Sequence, residues 1–113
     1  MSRDGVLTVL HNFAPGSAEG DAPNGLVLGL DGSFYGTTGN FGSDQLGSVF
    51  QMTTAGTVKV VHKFGTGAHN SASDGRQPLA APTQVSNGDL FGTTSLGGVN
   101  GAPGFGTIYK LDK

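Results

Sequence analysis

The chain contains no cysteine among its 113 residues, which removes disulfides, thiolate metal sites and cysteine nucleophiles together. Charge is scarce: six Lys and Arg stand against eight Asp and Glu, a net charge of −2. No basic cluster appears, so the electrostatic footprint of a nucleic-acid binder is missing, and there is no acidic tail. No apolar run approaches the ~20 residues of a membrane span. Met1-Ser2-Arg3 leads into a strand pattern rather than a signal peptide. These absences predict a soluble chain without cofactor, nucleic acid or membrane as partner. They leave the compartment open, because a secreted bacterial protein need not carry disulfides. No segment shows a helical period.

Glycine is what the chain has in excess: 21 residues, against a usual share of about 7%. Without a three-residue period collagen is excluded. The glycines fall between short apolar runs, the pattern of many turns linking many strands.

The runs recur in order. Leu10-His11-Asn12-Phe13 returns as Val61-His62-Lys63-Phe64 after 51 residues. Glu19-Gly20-Asp21-Ala22-Pro23 returns as Asp74-Gly75-Arg76-Gln77-Pro78 after 55. The stretch from Asp31-Gly32 to Thr37-Thr38 returns as Asn87-Gly88 to Thr93-Thr94 after 56, and Gly47-Ser48-Val49-Phe50 as Gly106-Thr107-Ile108-Tyr109 after 59. The growing offset places every insertion between apolar runs, where surface loops tolerate it. The chain therefore reads as one unit of two repeats, about 4–55 and 56–113.

Each repeat offers four strands, placed in the first at 26–30, 33–38, 47–52 and 57–64. Asp31-Gly32 and Asn87-Gly88 predict two-residue hairpins with positive φ at both positions. In the fourth strand Val58, Val60, His62 and Phe64 share a face, as do Leu7, Val9, His11 and Phe13 in the matching segment 6–13. Four short antiparallel strands with a period near 50 residues have the size of a β-propeller blade. The expected fold is thus all-β: two four-stranded meanders forming two blades, completed by homo-oligomerisation. The chain opens on a fourth-type strand and closes on a third-type strand. Joining residues 110–113 to residues 4–6 would rebuild the turn at 53–57, so segment 6–13 is expected to complete a neighbour's last blade or its own. Three chains would give six blades, the preferred reading, and four would give eight.

These motifs resemble the GloVer tandem-repeat family of bacterial proteins, whose repeats carry an L-H-x-F strand, a D-G-x-x-P loop, a D-G-x-x-Y-G-T-T hairpin and a G-T-V-F strand. The resemblance covers nearly the whole chain. Glu19 stands where the pattern has Asp, and Gly39-Asn40 replaces the glycine pair kept at Gly97-Gly98. The resemblance implies a propeller-like scaffold and a long, exported or surface-anchored bacterial parent, of which two repeats would be an excised or engineered fragment.

Few residues point to chemistry. His11 and His62 could form a ring of metal ligands about an axis, but each lies between apolar neighbours at two-residue spacing, which favours hydrogen-bonded core histidines. His69 falls in an inserted loop. Glu19, Asp21 and Asp74 occupy equivalent loops; they could bind Ca²⁺ or a sugar at one rim, or simply accept backbone N–H bonds of their turns. Asp31 and Asn87 are given hairpin duties alone. Gly36 and Gly92 interrupt strands, which predicts close packing against them. The loops 39–46 and 95–105, tipped by Phe41 and Phe105, are the best ligand-binding surface on a rigid β scaffold. No nucleophile elbow is present. The sequence thus favours a non-enzymatic self-assembling scaffold or interaction module, with glycan binding through its loops. The alternative is a polysaccharide hydrolase or lyase using rim carboxylates.

Overall fold

A computed structural model describes residues 5–14, 21–40, 47–64, 75–98 and 104–112. The described chain is all-β, with seven strands and no helix: β1 (Asp21–Leu28), β2 (Phe34–Asn40), β3 (Ser48–Met52), β4 (Val58–Lys63), β5 (Thr83–Gln84), β6 (Leu90–Thr94) and β7 (Thr107–Leu111). They form two antiparallel meanders, β1-β2-β3-β4 and β5-β6-β7. The two make a slab of 50 × 33 × 19 Å. No helix is long and apolar enough to cross a membrane.

The two repeats share specific local features. The Thr38 and Ser48 hydroxyls bond at 2.8 Å between β2 and β3, and those of Thr94 and Thr107 do the same at 2.8 Å between β6 and β7. Among the described residues Ala22 and Gln77, equivalent at an offset of 55, are the two non-glycine residues with positive φ, at 56° and 54°. Each precedes a proline. The carbonyl of Gln77 accepts from both the backbone N–H and the hydroxyl of Ser95, which holds that loop in place.

The hairpins differ from the expected two-residue turns. Gly29 N–H donates to the Ser33 carbonyl, Thr53 to Thr57 and Val85 to Asp89, so all three loops contain three residues. Only the glycine is left-handed in each: Gly32 at φ 85°, Gly56 at 95° and Gly88 at 96°. This is the type I turn plus glycine bulge, the next most common hairpin closure. Asp31 therefore has no positive-φ duty. Its carboxylate accepts the Ser33 N–H at 3.0 Å, as the Asn87 side chain accepts that of Asp89 at 3.0 Å. Asp and Asn are selected here for that local bond.

Two expected strands come out differently. β1 begins at Asp21 rather than at residue 26, pairs Asp21 with Asn40, and absorbs Gly25 as an irregularity between Asn24 and Leu26. Its counterpart β5 is reduced to two residues, because Pro78 and Pro82 lie in that segment and proline cannot donate to a ladder. Segment 6–13 belongs to no strand. Among the described residues β7 pairs with β6 alone.

Candidate functional site

The sequence-derived candidates scatter. Glu19, Asp74, Phe41 and His69 lie outside the described residues, as does most of the loop 39–46. Of the rim carboxylates only the backbone of Asp21 is placed, and it stands in β1 instead of a loop. The described part of the chain therefore does not bring these three rim carboxylates across a cleft. Phe105 is 85% exposed. Among the described residues no group of three or more His, Asp or Glu converges.

His11 and His62 occupy matching aromatic rows. His11 meets Phe13 edge-on with centroids 4.8 Å apart, and Phe13 meets Phe50 at 5.3 Å. His62 meets Phe64 at 5.0 Å, and Phe64 meets Tyr109 at 5.2 Å. Such edge-to-face pairs contribute about 0.5–1.5 kcal/mol each beyond their burial. Both histidines are half-buried.

The same rows explain the mid-strand glycines. A Cβ on Gly36 would stand 2.6 Å from Cζ of Phe50 and 2.7 Å from the carbonyl oxygen of Gly25. At Gly92 the space is filled by the phenol of Tyr109. The tip of an aromatic ring from the third strand thus occupies the space beside the mid-strand glycine of each repeat. The close approach anticipated from the sequence is made chiefly by a side chain; only Gly36 also meets backbone.

Tyr109 replaces Phe50 in this arrangement, and its hydroxyl is buried without a hydrogen-bond partner. Burial pushes its pKa up to about 12. Tyr35, by contrast, donates to Asp31 Oδ2 at 2.9 Å. Burial first, and then the Asp31 carboxylate, raises the Tyr35 phenol above its ordinary value. The Ser33 N–H and the Tyr35 hydroxyl hold the Asp31 carboxyl below the usual carboxylate range.

The repeats meet along a seam. Thr37 Oγ1 donates to the Ala80 carbonyl at 3.0 Å, and Asn24 Nδ2 to the Pro78 carbonyl at 2.9 Å. The Gln84 amide joins two hairpins, accepting from Leu30 N–H and donating to the Gly88 carbonyl. Beside this junction opens a cleft of about 350 Å³, lined by Asp31, Tyr35 and Gln51 on one side, Lys59 and Val61 on β4, and Leu111 with Asp112 on the other. Sequence reasoning missed this cluster. The only signal was Asp31 four residues before Tyr35 across the hairpin, and that spacing is common to any such turn. The cleft brings the Asp31 and Asp112 carboxylates and the Tyr35 phenol to one place.

The exposed surfaces are more informative than the cleft. At equivalent positions on β3 and β7, Val49 is 0% exposed and Ile108 83%. Thr37 is buried, Thr93 exposed; Tyr35 is buried, Phe91 exposed. The near face of repeat 1 mirrors this. Pro78 and Pro82 are fully buried in the seam, while their counterparts Pro23 and Leu26 are exposed. The molecule thus ends in two apolar faces, each the equivalent of a face that is covered inside.

No curated protein and no solved structure matches this chain. The profile of the Gloeobacter/Verrucomicrobia repeat covers residues 1–113, so the chain, with its twice-repeated strands, hairpins and aromatic rows, belongs to that repeat family.

Proposed function

We propose that the protein is a non-enzymatic scaffold, two blades of a β-propeller that assembles head to tail with copies of itself. The observation that carries this reading is the pair Val49 and Ile108, identical in strand position and opposite in exposure. A β-branched side chain left in water forfeits most of the roughly 1.5–3 kcal/mol that burial supplies. Val49 pairs with Thr37 on the adjacent strand, and the Thr37 hydroxyl reaches the Ala80 carbonyl in the proline-bearing inner segment of repeat 2. The near face of repeat 1 on a second copy carries the equivalent segment, with Pro23 and Leu26 outward. The contact is heterologous, far face to near face, and such contacts form rings when the rotation closes. Three chains, giving six blades, are the preferred closure and four the next.

Size-exclusion chromatography with light scattering tests this. Three chains of 11.4 kDa make a particle of about 34 kDa. A discrete multiple of the chain mass supports assembly, and its value sets the blade number. A folded species of 11.4 kDa at micromolar concentration refutes it.

A further inference from the structure

Among the described residues the second sheet has three strands where the first has four, and the first sheet contains a template for a fourth. β3 and β4 pair as Val49↔His62, Phe50↔Val60, Gln51↔Lys59 and Met52↔Val58, with a bulge that passes over Val61. β7 repeats β3 at an offset of 59, and segment 7–12 repeats β4 at an offset of 51.

That segment already sits on repeat 1 as β4 sits on repeat 2. Phe13 meets Phe50 at 5.3 Å and 61°, Phe64 meets Tyr109 at 5.2 Å and 66°. His11 meets Phe13 at 78°, His62 meets Phe64 at 80°. Gly5 has φ 70°, and its counterpart Gly56, the bulge glycine of the β3–β4 hairpin, has φ 95°. The segment is therefore anchored at its end on its own first blade. Leu10 lies against Gly56 of the β3–β4 turn, while Leu7 is 88% and Val9 63% exposed.

We infer that residues 7–12 of one copy add to the outer edge of β7 of another as an antiparallel fourth strand. The template sets the register: Leu7 opposite Leu111, Thr8 opposite Lys110, Val9 opposite Tyr109 and His11 opposite Ile108, with Leu10 as the bulge. This rests on the self-assembly proposed above and specifies how the copies join. Strand addition draws its affinity from main-chain hydrogen bonds and its specificity from alternate side chains. A slip of one residue would exchange the two faces of the strand. In the inferred register Lys110, which already binds Asp112 at 3.1 Å, faces a neutral threonine.

Introduced thiols report the register directly, because the chain has none of its own. Thr8→Cys and Lys110→Cys are placed on separate chains, refolded together and oxidised. Facing residues of antiparallel strands lie within disulfide reach. The expected result is an 8–110 cross-linked pair that approaches the statistical share for random mixing, about half of the chains, identified by peptide mass. Val6→Cys with Lys110→Cys, two residues out of register, should give little. The double variant Gln51→Cys/Lys59→Cys should close an intrachain disulfide, which verifies the template pair. Equal or greater yield from the Val6 pair, or failure of the intrachain control, overturns the register. An assembly that keeps its mass but forms no 8–110 link also overturns the strand exchange while leaving self-assembly intact. A monomeric parent chain overturns both.

Discussion

The seam between the repeats and the two outer faces are built from the same positions in different surroundings. Inside, Thr37 reaches the Ala80 carbonyl and Val49 is wholly covered; outside, Thr93 and Ile108 meet water. The residue types scarcely change, threonine for threonine and isoleucine for valine. Burial here is decided by whether a neighbouring repeat is present. A repeat array is a sum of units and interfaces, and this chain holds one interface for two units.

The sharpest way to break that comparison is to place a charge at both positions. Val49→Asp should abolish folding, since an unpaired buried carboxylate costs several kcal/mol, a large part of an ordinary stability of about 5–15 kcal/mol. Circular dichroism would show the lost strand signal. Ile108→Asp should change the stability of the separated chain by no more than about 0.5 kcal/mol, yet reduce the solution mass to one chain. If both variants behave alike, the two faces are not equivalent.

Next in size is Gly36→Ala. The added methyl must displace the Phe50 ring and the Gly25 carbonyl, at a cost of about 1–3 kcal/mol in denaturant titration. Gly92→Ala meets only the Tyr109 phenol among its nearest atoms and should cost less.

Tyr109→Phe should stabilise by about 1 kcal/mol, because it removes a buried hydroxyl without a partner and restores the residue found at Phe50. It should also alter the alkaline limb. The unfolded phenol ionises near 10 and the folded one near about 12. Unfolding above pH 10 therefore releases a proton, and Tyr109 contributes its full stability below that pH and loses it as pH rises through the folded value. Thermal melts between pH 9 and pH 12 should fall less steeply in the variant. A parallel fall would show that Tyr35, whose phenol is also raised, governs the limb.

Asp31→Asn is the smallest change. The Asp31 pKa is lowered by its bonds from Ser33 and Tyr35, so its contribution is present above the unfolded pKa and disappears as pH falls through the folded one. The side chain is exposed, so stability at neutral pH should fall only slightly and the acid midpoint should move slightly toward higher pH. An unchanged midpoint would mean that the Asp31–Tyr35 bond adds nothing in water.

Much of the fold was legible beforehand. The alternation of Val58, Val60, His62 and Phe64 located β4, and Asp31-Gly32 and Asn87-Gly88 located two hairpins. Their loop length was not legible, because Asp-Gly satisfies both a two-residue turn and a glycine bulge. The extent of β1 was missed because Pro23 lies within it, where the sequence suggests a loop. The candidate site was less legible still. Its rim carboxylates were grouped by repeat position, and equivalence by repeat separates residues into different repeats.

By itself the sequence determined the repeat, the strand faces, the hairpin positions and the need for something small at Gly36 and Gly92, since these depend on local backbone preference and a period of two. Only the tertiary structure decided that Phe50 and Tyr109 are the groups lying on those glycines, that Tyr109 carries an orphaned hydroxyl, and that Val49 is buried while Ile108 is not. Such outcomes depend on which surfaces meet across the seam, and residues far apart in the chain carry no local record of their neighbours.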